Sequence, residues 1–283
     1  METRIHIIGL VVPDLTDTHF AEVARGVTRV MQPNGYTVLI SNSEGDSDAE
    51  RLAIDLLLSC AQVDGLILAS AQSPEETALF QRIEKHRLPY VLIDRAFPGS
   101  AASYVGADDE EIGAAAAEHL ISRGCRHIAH IRGPESSTGI GRSKGYAAAL
   151  ARHGLKAPAA YVASGGSSDS AGYAAMRRLL SVNPRLDGVV CFNDAVAVGA
   201  IKAILEAGLE VPYDIEVVGA GNVHYSDILR VPLSTIDLNS SLVGERAARL
   251  LLGTLQSPEP LPPERVLIPF QLVARESSKA VAV

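Results

Sequence analysis

Three features of the sequence predict an α/β fold built from two doubly wound parallel sheets. Short Val- and Ile-rich runs alternate with longer segments of helical period, the pattern of strands covered by helices on both faces. The runs fall into two sets of five, which implies two similar halves. At 283 residues and 47% hydrophobic content, the chain is long enough to fill two cores.

Taken in order, the first set of strands is Ile5 to Val12, Tyr36 to Ser41, Gly65 to Ala69, Tyr90 to Ile93 and Ser103 to Val105. The helix between the first two, Phe20 to Met31, puts Val23, Val27 and Val30 on one face, and Pro33-Asn34-Gly35 stops it. Asp46, Ser47 or Asp48 is placed to cap the next helix, which runs through Leu52 and Leu56 to about Cys60. The second set is His127 to Ile131, Ala160 to Ala163, Gly188 to Phe192, Ile215 to Gly219 and Ser234 to Ile236. Its helices, Glu110 to Arg123, Ser143 to His153 and Asp194 to Ala207, each stop at a glycine. A last helix from Ser241 to Leu255, a proline-rich connector from Ser257 to Glu264 and a closing strand from Arg265 to Val273 complete the chain.

Composition excludes several functions. The formal charge of -8 and a pI near 5.5 argue against a surface that grips nucleic acid along its length. No apolar run reaches the roughly 18 residues of a membrane span, and the amino terminus has no leader pattern. Cys60, Cys125 and Cys191 are odd in number and far apart, which suits a reducing cytoplasm. Gly141-Arg-Ser-Lys-Gly145 matches the G-x-S-x-G nucleophile elbow, but the expected strand ends near Gly133 and the elbow needs an immediate turn. The first strand runs into Val-Val-Pro-Asp-Leu instead of a glycine-rich phosphate loop. His127 and His130 are three apart on a strand and so face opposite ways. No catalytic residue, metal or cofactor is expected.

Parallel sheets bind ligands outside the carboxyl ends of their strands. The loops there run over 13–19, 42–46, 69–73, 94–98, 133–142, 164–170, 193–194 and 220–226, and they carry Asp14, His19, Phe20, Asp94, Arg95, Arg142, Asn193, Asp194 and Asn222. Aromatic planes, carboxylates, amides and guanidinium forks are what a sugar or nucleoside requires. Plainer roles compete: Asn193 or Asp194 as a helix cap, Asp94-Arg95 as a surface pair, Phe20 as core.

The segments IGLVVPDLTDTHFAEVARG, VDGLILA, PYVLIDR, HLISRGCRHIAHIRGP, GRSKGYAAAL, VVCFNDAVAVGAIKAILEAG, VPYDIEVVGAGN and LVARESS stand in this order between Ile5 and Ser278. Together they resemble the effector-binding core of bacterial transcription regulators of the lactose-repressor/galactose-repressor (LacI/GalR) family. The resemblance implies the periplasmic-binding-protein-like type I fold, two subdomains with a ligand cleft between them. It places 1–107 plus 237–262 in the amino-terminal subdomain and 108–236 plus 263–277 in the carboxy-terminal one, with 278–283 as a tail. The chain would cross between them near Ala107, near Asp237 and near Pro262. His19, Phe20, Asp94, Arg95, Arg142, Asn193 and Asn222 match the family's effector contacts. At Val218-Gly219-Ala220-Gly221-Asn222 the carboxylate common in the family is replaced by Gly221, with Asn222 as the substitute, so the effector differs from a common hexose. The implied partners are a carbohydrate or nucleoside-like effector, a second copy of the chain in a homodimer, and operator DNA through a helix-turn-helix preceding the first strand; only Met1 to Arg4 precede it here. The alternative is a periplasmic solute-binding protein for sugar uptake.

Overall fold

A computed structural model describes residues 6–72, 78–97, 100–182 and 185–278, with the side chains of 60 and 61 excepted. Ile5, Ser73, Pro98, the Cys60 side chain and the tail beyond Ser278 lie outside the described set.

The first unit runs to Ala107 and resumes over Asn239–Ile268. Its strands are β1 (His6–Val12), β2 (Tyr36–Asn42), β3 (Gly65–Leu68), β4 (Tyr90–Ile93), β5 (Ser103–Gly106) and β11 (Arg265–Leu267), in the spatial order β11-β5-β4-β3-β1-β2 and all parallel. Helices α1 (Thr18–Met31), α2 (Ser47–Leu56), α3 (Ala78–Lys85) and α8 (Ser240–Gln256) cover it. Alternate faces of the strands are buried on both sides: Ile8, Leu10, Val12 and Ile67 pack with α1 and α8, while Val11, Leu66, Leu68 and Leu92 pack with α2 and α3. At roughly 25 cal/mol per Å² of apolar area, burial of these two faces is what holds the sheet between its helix layers.

The second unit spans Asp108–Leu238 and continues from Pro269. Its strands β6 (Ile128–Arg132), β7 (Val162–Ser164), β8 (Gly188–Cys191), β9 (Glu216–Ala220), β10 (Ser234–Asp237) and β12 (Gln271–Val273) follow the order β12-β10-β9-β8-β6-β7, with only β12 antiparallel. Helices α4 (Asp109–Arg123), α5 (Ser137–Arg152), α6 (Asp169–Val182) and α7 (Asp194–Glu206) flank this sheet. Both sheets thus repeat one strand order, with the order reversing beside β1 and beside β6, where ligand crevices of such sheets form.

The structure corrects four expectations. The closing strand is two: β11 stays with the first sheet, bonded to β5, and the chain leaves at Ile268–Pro269 to form β12, so the third crossing is not near Pro262. Asp237 belongs to the second unit because it pairs with Gln271 of β12. Helix α5 begins at Ser137, capped by the Ser136 hydroxyl, six residues earlier than expected. Helices α3 and α6 were not anticipated; α6 follows a Gly-Ser run, which reads as loop at both ends of a short window.

Candidate functional site

At the carboxyl edge of the first sheet, α1 starts where the Asp17 carboxylate accepts the His19 amide at 2.9 Å. His19 is therefore in a helical turn and its ring is fixed. Its Nδ1 shares a hydrogen bond with Ser240 Oγ at 2.8 Å, and its Nε2 lies 3.4 Å from Asp94 Oδ1. Asp94 takes left-handed backbone (φ 61°) at the end of β4, held by its amide on Val105 O and by the Tyr104 hydroxyl on its carbonyl. Phe20 is core: it is 6% exposed, packs with Ile8 and Val23, and meets the His19 ring edge-on at 4.8 Å. It backs the histidine.

Arg95 donates from Nη1 to Ser70 O at 2.8 Å. Beside it lies Glu50, a wholly buried carboxylate in the first turn of α2, which no sequence motif singles out. Glu50 Oε2 accepts from the Ala71 amide at 2.7 Å and from Gln72 Nε2 at 3.2 Å. Burial raises the Glu50 pKa, and contacts from Ser70, Ala71 and Gln72 with the Arg95 charge oppose that rise. Burial lowers the Arg95 pKa, while Asp94 and Glu50 oppose it.

In the second unit Arg142 sits in the second turn of α5, not in a loop, and is 6% exposed. Its Nε bonds Asp109 Oδ1 at 2.9 Å, its Nη1 donates to Phe192 O at 2.7 Å, and the guanidinium lies 4.8 Å from the Phe192 ring centroid. The pairing depends on close approach of α4 and α5: a Cβ at Gly113 would collide with Arg142 O, and one at Gly145 with Glu110 O. Asn193 caps α7, its Oδ1 accepting from Val196 N at 2.9 Å and its Nδ2 donating to Ser167 O at 3.0 Å. Asp194 is 1% exposed and anchors the following loop by accepting from Val223 N, Ser226 Oγ and Thr235 Oγ1.

Asn222 uses both ends of its amide. Nδ2 donates to Asp237 Oδ2 at 2.9 Å, and Oδ1 accepts from Arg275 Nη2 at 2.8 Å. Arg275 and Asp237 escaped sequence reasoning; Arg275 lay in plain view in the LVARESS segment. Gly221 has φ 141°, a backbone region closed to side chains, which accounts physically for glycine there. The sequence-derived residues thus assemble as His19 with Asp94, Arg95 beside Glu50, Arg142 beside the Phe192–Asn193 turn, and Asn222 between Asp237 and Arg275.

Ser143 lies within α5, donating to Gly139 O at 2.8 Å with His130 Nε2 at 3.1 Å, so the strained elbow turn is absent. His130 is not a surface residue: it is 1% exposed and its Nδ1 bonds Val190 O at 3.0 Å. Among the described residues no three His, Cys, Asp or Glu side chains cluster to hold a metal, and no helix is long and apolar enough to cross a membrane.

Residues 117–278 match the family model of the periplasmic binding protein-like domain. The ribose operon repressor of Halalkalibacterium halodurans is 31% identical over 274 residues, which cover 96% of this chain and 80% of the relative. The transcriptional repressor CytR of Escherichia coli K12 is 30% identical over 275 residues, 97% of this chain and 80% of the relative. This chain belongs to the LacI/GalR family. It is the effector-binding core of such a transcription regulator. A cellobiose complex of the transcriptional regulator CelR superposes on it with a TM-score of 0.87 at 28% identity, over 96% of this chain and 84% of that one.

Proposed function

We propose that a small polyhydroxylated effector, a sugar or nucleoside, binds along the carboxyl edges of the two sheets through His19, Asp94, Arg95, Arg142, Asn193 and Asn222. Arg142 carries the reading: a guanidinium 6% exposed, stacked on Phe192 and fixed by Asp109, is the preorganised kind of group that orients a ligand. Relatives support it, being a ribose operon repressor and a regulator in complex with cellobiose. A ligand with different affinity for two conformational states of the regulator shifts their populations, and operator binding by a helix-turn-helix segment follows the shift. The chain acts by binding rather than catalysis, in the cytoplasm. The solute-binding alternative has less support, because the named relatives are repressors.

The same reading includes a homodimer. Leu39, Ile40, Leu52 and Leu56 of the first unit are 38%, 44%, 62% and 52% exposed. In the second unit a groove of about 300 Å³ is lined by Val198, Ile201, Leu205, Leu229 and Val231. Apolar surface of this kind favours a partner.

The test is a thermal-shift and calorimetric screen with D-ribose, D-cellobiose and cytidine, on the wild type and Arg142→Ala. At least one compound binds the wild type and is lost in the variant. No binding by any of the three, or binding indifferent to Arg142, overturns the assignment.

A further inference from the structure

Among the described residues, four arginines in or reaching the strand-end loops, Arg95, Arg132, Arg142 and Arg275, each come with a carboxylate. Arg95 feels both Asp94 and Glu50. Arg132 pairs with Glu135, and Arg142 with Asp109. Arg275 reaches Asp237 through the amide of Asn222. The strand-end loops over 13–19, 42–46, 69–73, 94–98, 133–142, 164–170, 193–194 and 220–226 contain no lysine, yet they carry Asp14, Asp17, Glu44, Asp46, Asp169 and Asp194 as well. A phosphate group brings about -1.5 to -2 of charge and is held by cations with charge to spare. The two buried arginines, Arg95 and Arg142, already have carboxylates offsetting their charge.

We infer that the effector is uncharged, a free polyol or nucleoside rather than its phosphate ester, and that Glu50 enforces this choice in the first unit. The inference rests on the effector-sensing function proposed above and specifies its ligand class. Glu50 is 0% exposed, so it acts through other groups and is a positioning residue. It does two things. Its buried carboxylate offsets the Arg95 charge inside the protein, where screening by salt is weak. It also fixes the 70–72 segment through Ala71 N and Gln72 Nε2, and that segment supplies Ser70 O, the acceptor that orients Arg95. A guanidinium whose charge is offset suits a hydroxyl or ring oxygen, which needs a donor but not a net charge.

Calorimetry with two matched pairs tests this: D-ribose against D-ribose 5-phosphate, and cytidine against cytidine 5′-monophosphate, each on the wild type, Glu50→Gln and Asp109→Asn. In the wild type the neutral member of a pair binds about tenfold tighter or more. Glu50→Gln retains the amide-accepting oxygen and removes one negative charge, so it narrows the ratio by about three- to tenfold, and more at low salt than at high. Asp109→Asn narrows it by releasing Arg142, and this readout stands if Glu50→Gln does not fold. A general loosening of the fold would weaken both members alike and leave the ratio unmoved. If the wild type prefers the phosphate, the uncharged-effector inference is wrong. If Asp109→Asn narrows the ratio and a folded Glu50→Gln does not, Glu50 is not the discriminating residue. Binding of no member of either pair strikes instead at the effector-sensing function.

Discussion

Lowering the pH from 7 to 4.5 moves a proton onto His130 in the unfolded chain but not in the folded one. The ring is 1% exposed between β6 and α5, stacked on Tyr146 at 4.9 Å, and its Nδ1 proton is committed to Val190 O. Burial pushes its pKa from 6.5 down to about 4, the nearby Arg132 and Arg142 charges push the same way, and the Val190 hydrogen bond opposes them. A folded pKa below the unfolded one contributes stability that is fully present above about 6.5 and lost as pH falls through about 4. At about 1.4 kcal/mol per pH unit, the contribution is about 2 to 3 kcal/mol. Glu216 runs the other way in the same window. Burial, with help from Asp187, pushes its carboxyl up to about 7 against the pull of Arg123, so its contribution is fully present below about 4.5 and lost as pH rises through 7. The two partly cancel in the wild type, and single variants separate them. Urea unfolding followed by far-UV circular dichroism, at half-unit steps from pH 4.5 to 7, reads the slopes. His130→Gln makes stability rise on acidification relative to wild type, by up to about 2 to 3 kcal/mol across the range; Glu216→Gln makes it fall more steeply. Parallel pH profiles for wild type and His130→Gln would refute the account of the buried histidine.

Other substitutions probe the site and its supports. Asp109→Ala strands the Arg142 guanidinium in a buried setting and lowers stability by about 3 kcal/mol in urea titration, whereas Asp109→Asn, which keeps one acceptor, costs less. Asp194→Ala releases Val223, Ser226 and Thr235 together, and the 220–226 segment then exchanges its amide hydrogens faster than β9 does, by mass spectrometry. Gly221→Asp puts back the carboxylate common in the family at a residue with φ 141° and lowers the unfolding free energy by about 1 to 3 kcal/mol; no loss of stability would refute the strain argument. Sedimentation tests the proposed homodimer: a dimer is expected for the wild type and a monomer for Leu52→Glu combined with Val198→Asp, without a change in circular dichroism.

Element identity was legible in the sequence because strands buried on both faces leave unbroken apolar runs such as Ile8 to Val12 and Gly188 to Cys191, and because glycines mark helix ends. Short, polar or doubly assigned segments were not. α3 has only Leu79, Phe80 and Ile83 buried, and Arg265 to Val273 reads as one strand although Ile268–Pro269 divides it between two sheets. The site was legible where one loop carries several polar groups in a row, as at Asp94-Arg95 and Asn193-Asp194. Sequence spacing could not reveal pairs made by packing. Arg142 looked unpartnered until α4 brought Asp109 across 33 positions. Glu50, Asp237 and Arg275 acquire their roles only through neighbours 15 to 53 residues away. Phe20 carried both readings, because an aromatic beside a loop histidine looks the same in sequence whether its ring faces a ligand or the core; in the structure the ring is buried.

Hydrogen–deuterium exchange with saturating D-ribose, or whichever of cytidine and D-cellobiose binds tighter, tests the central claim most directly. The account predicts that protection concentrates at the carboxyl strand edges of both units, in the segments around 94–95, 138–142, 192–194 and 220–223, and that Arg142→Ala abolishes it. Protection confined to one unit, or to the opposite ends of the strands, would contradict it.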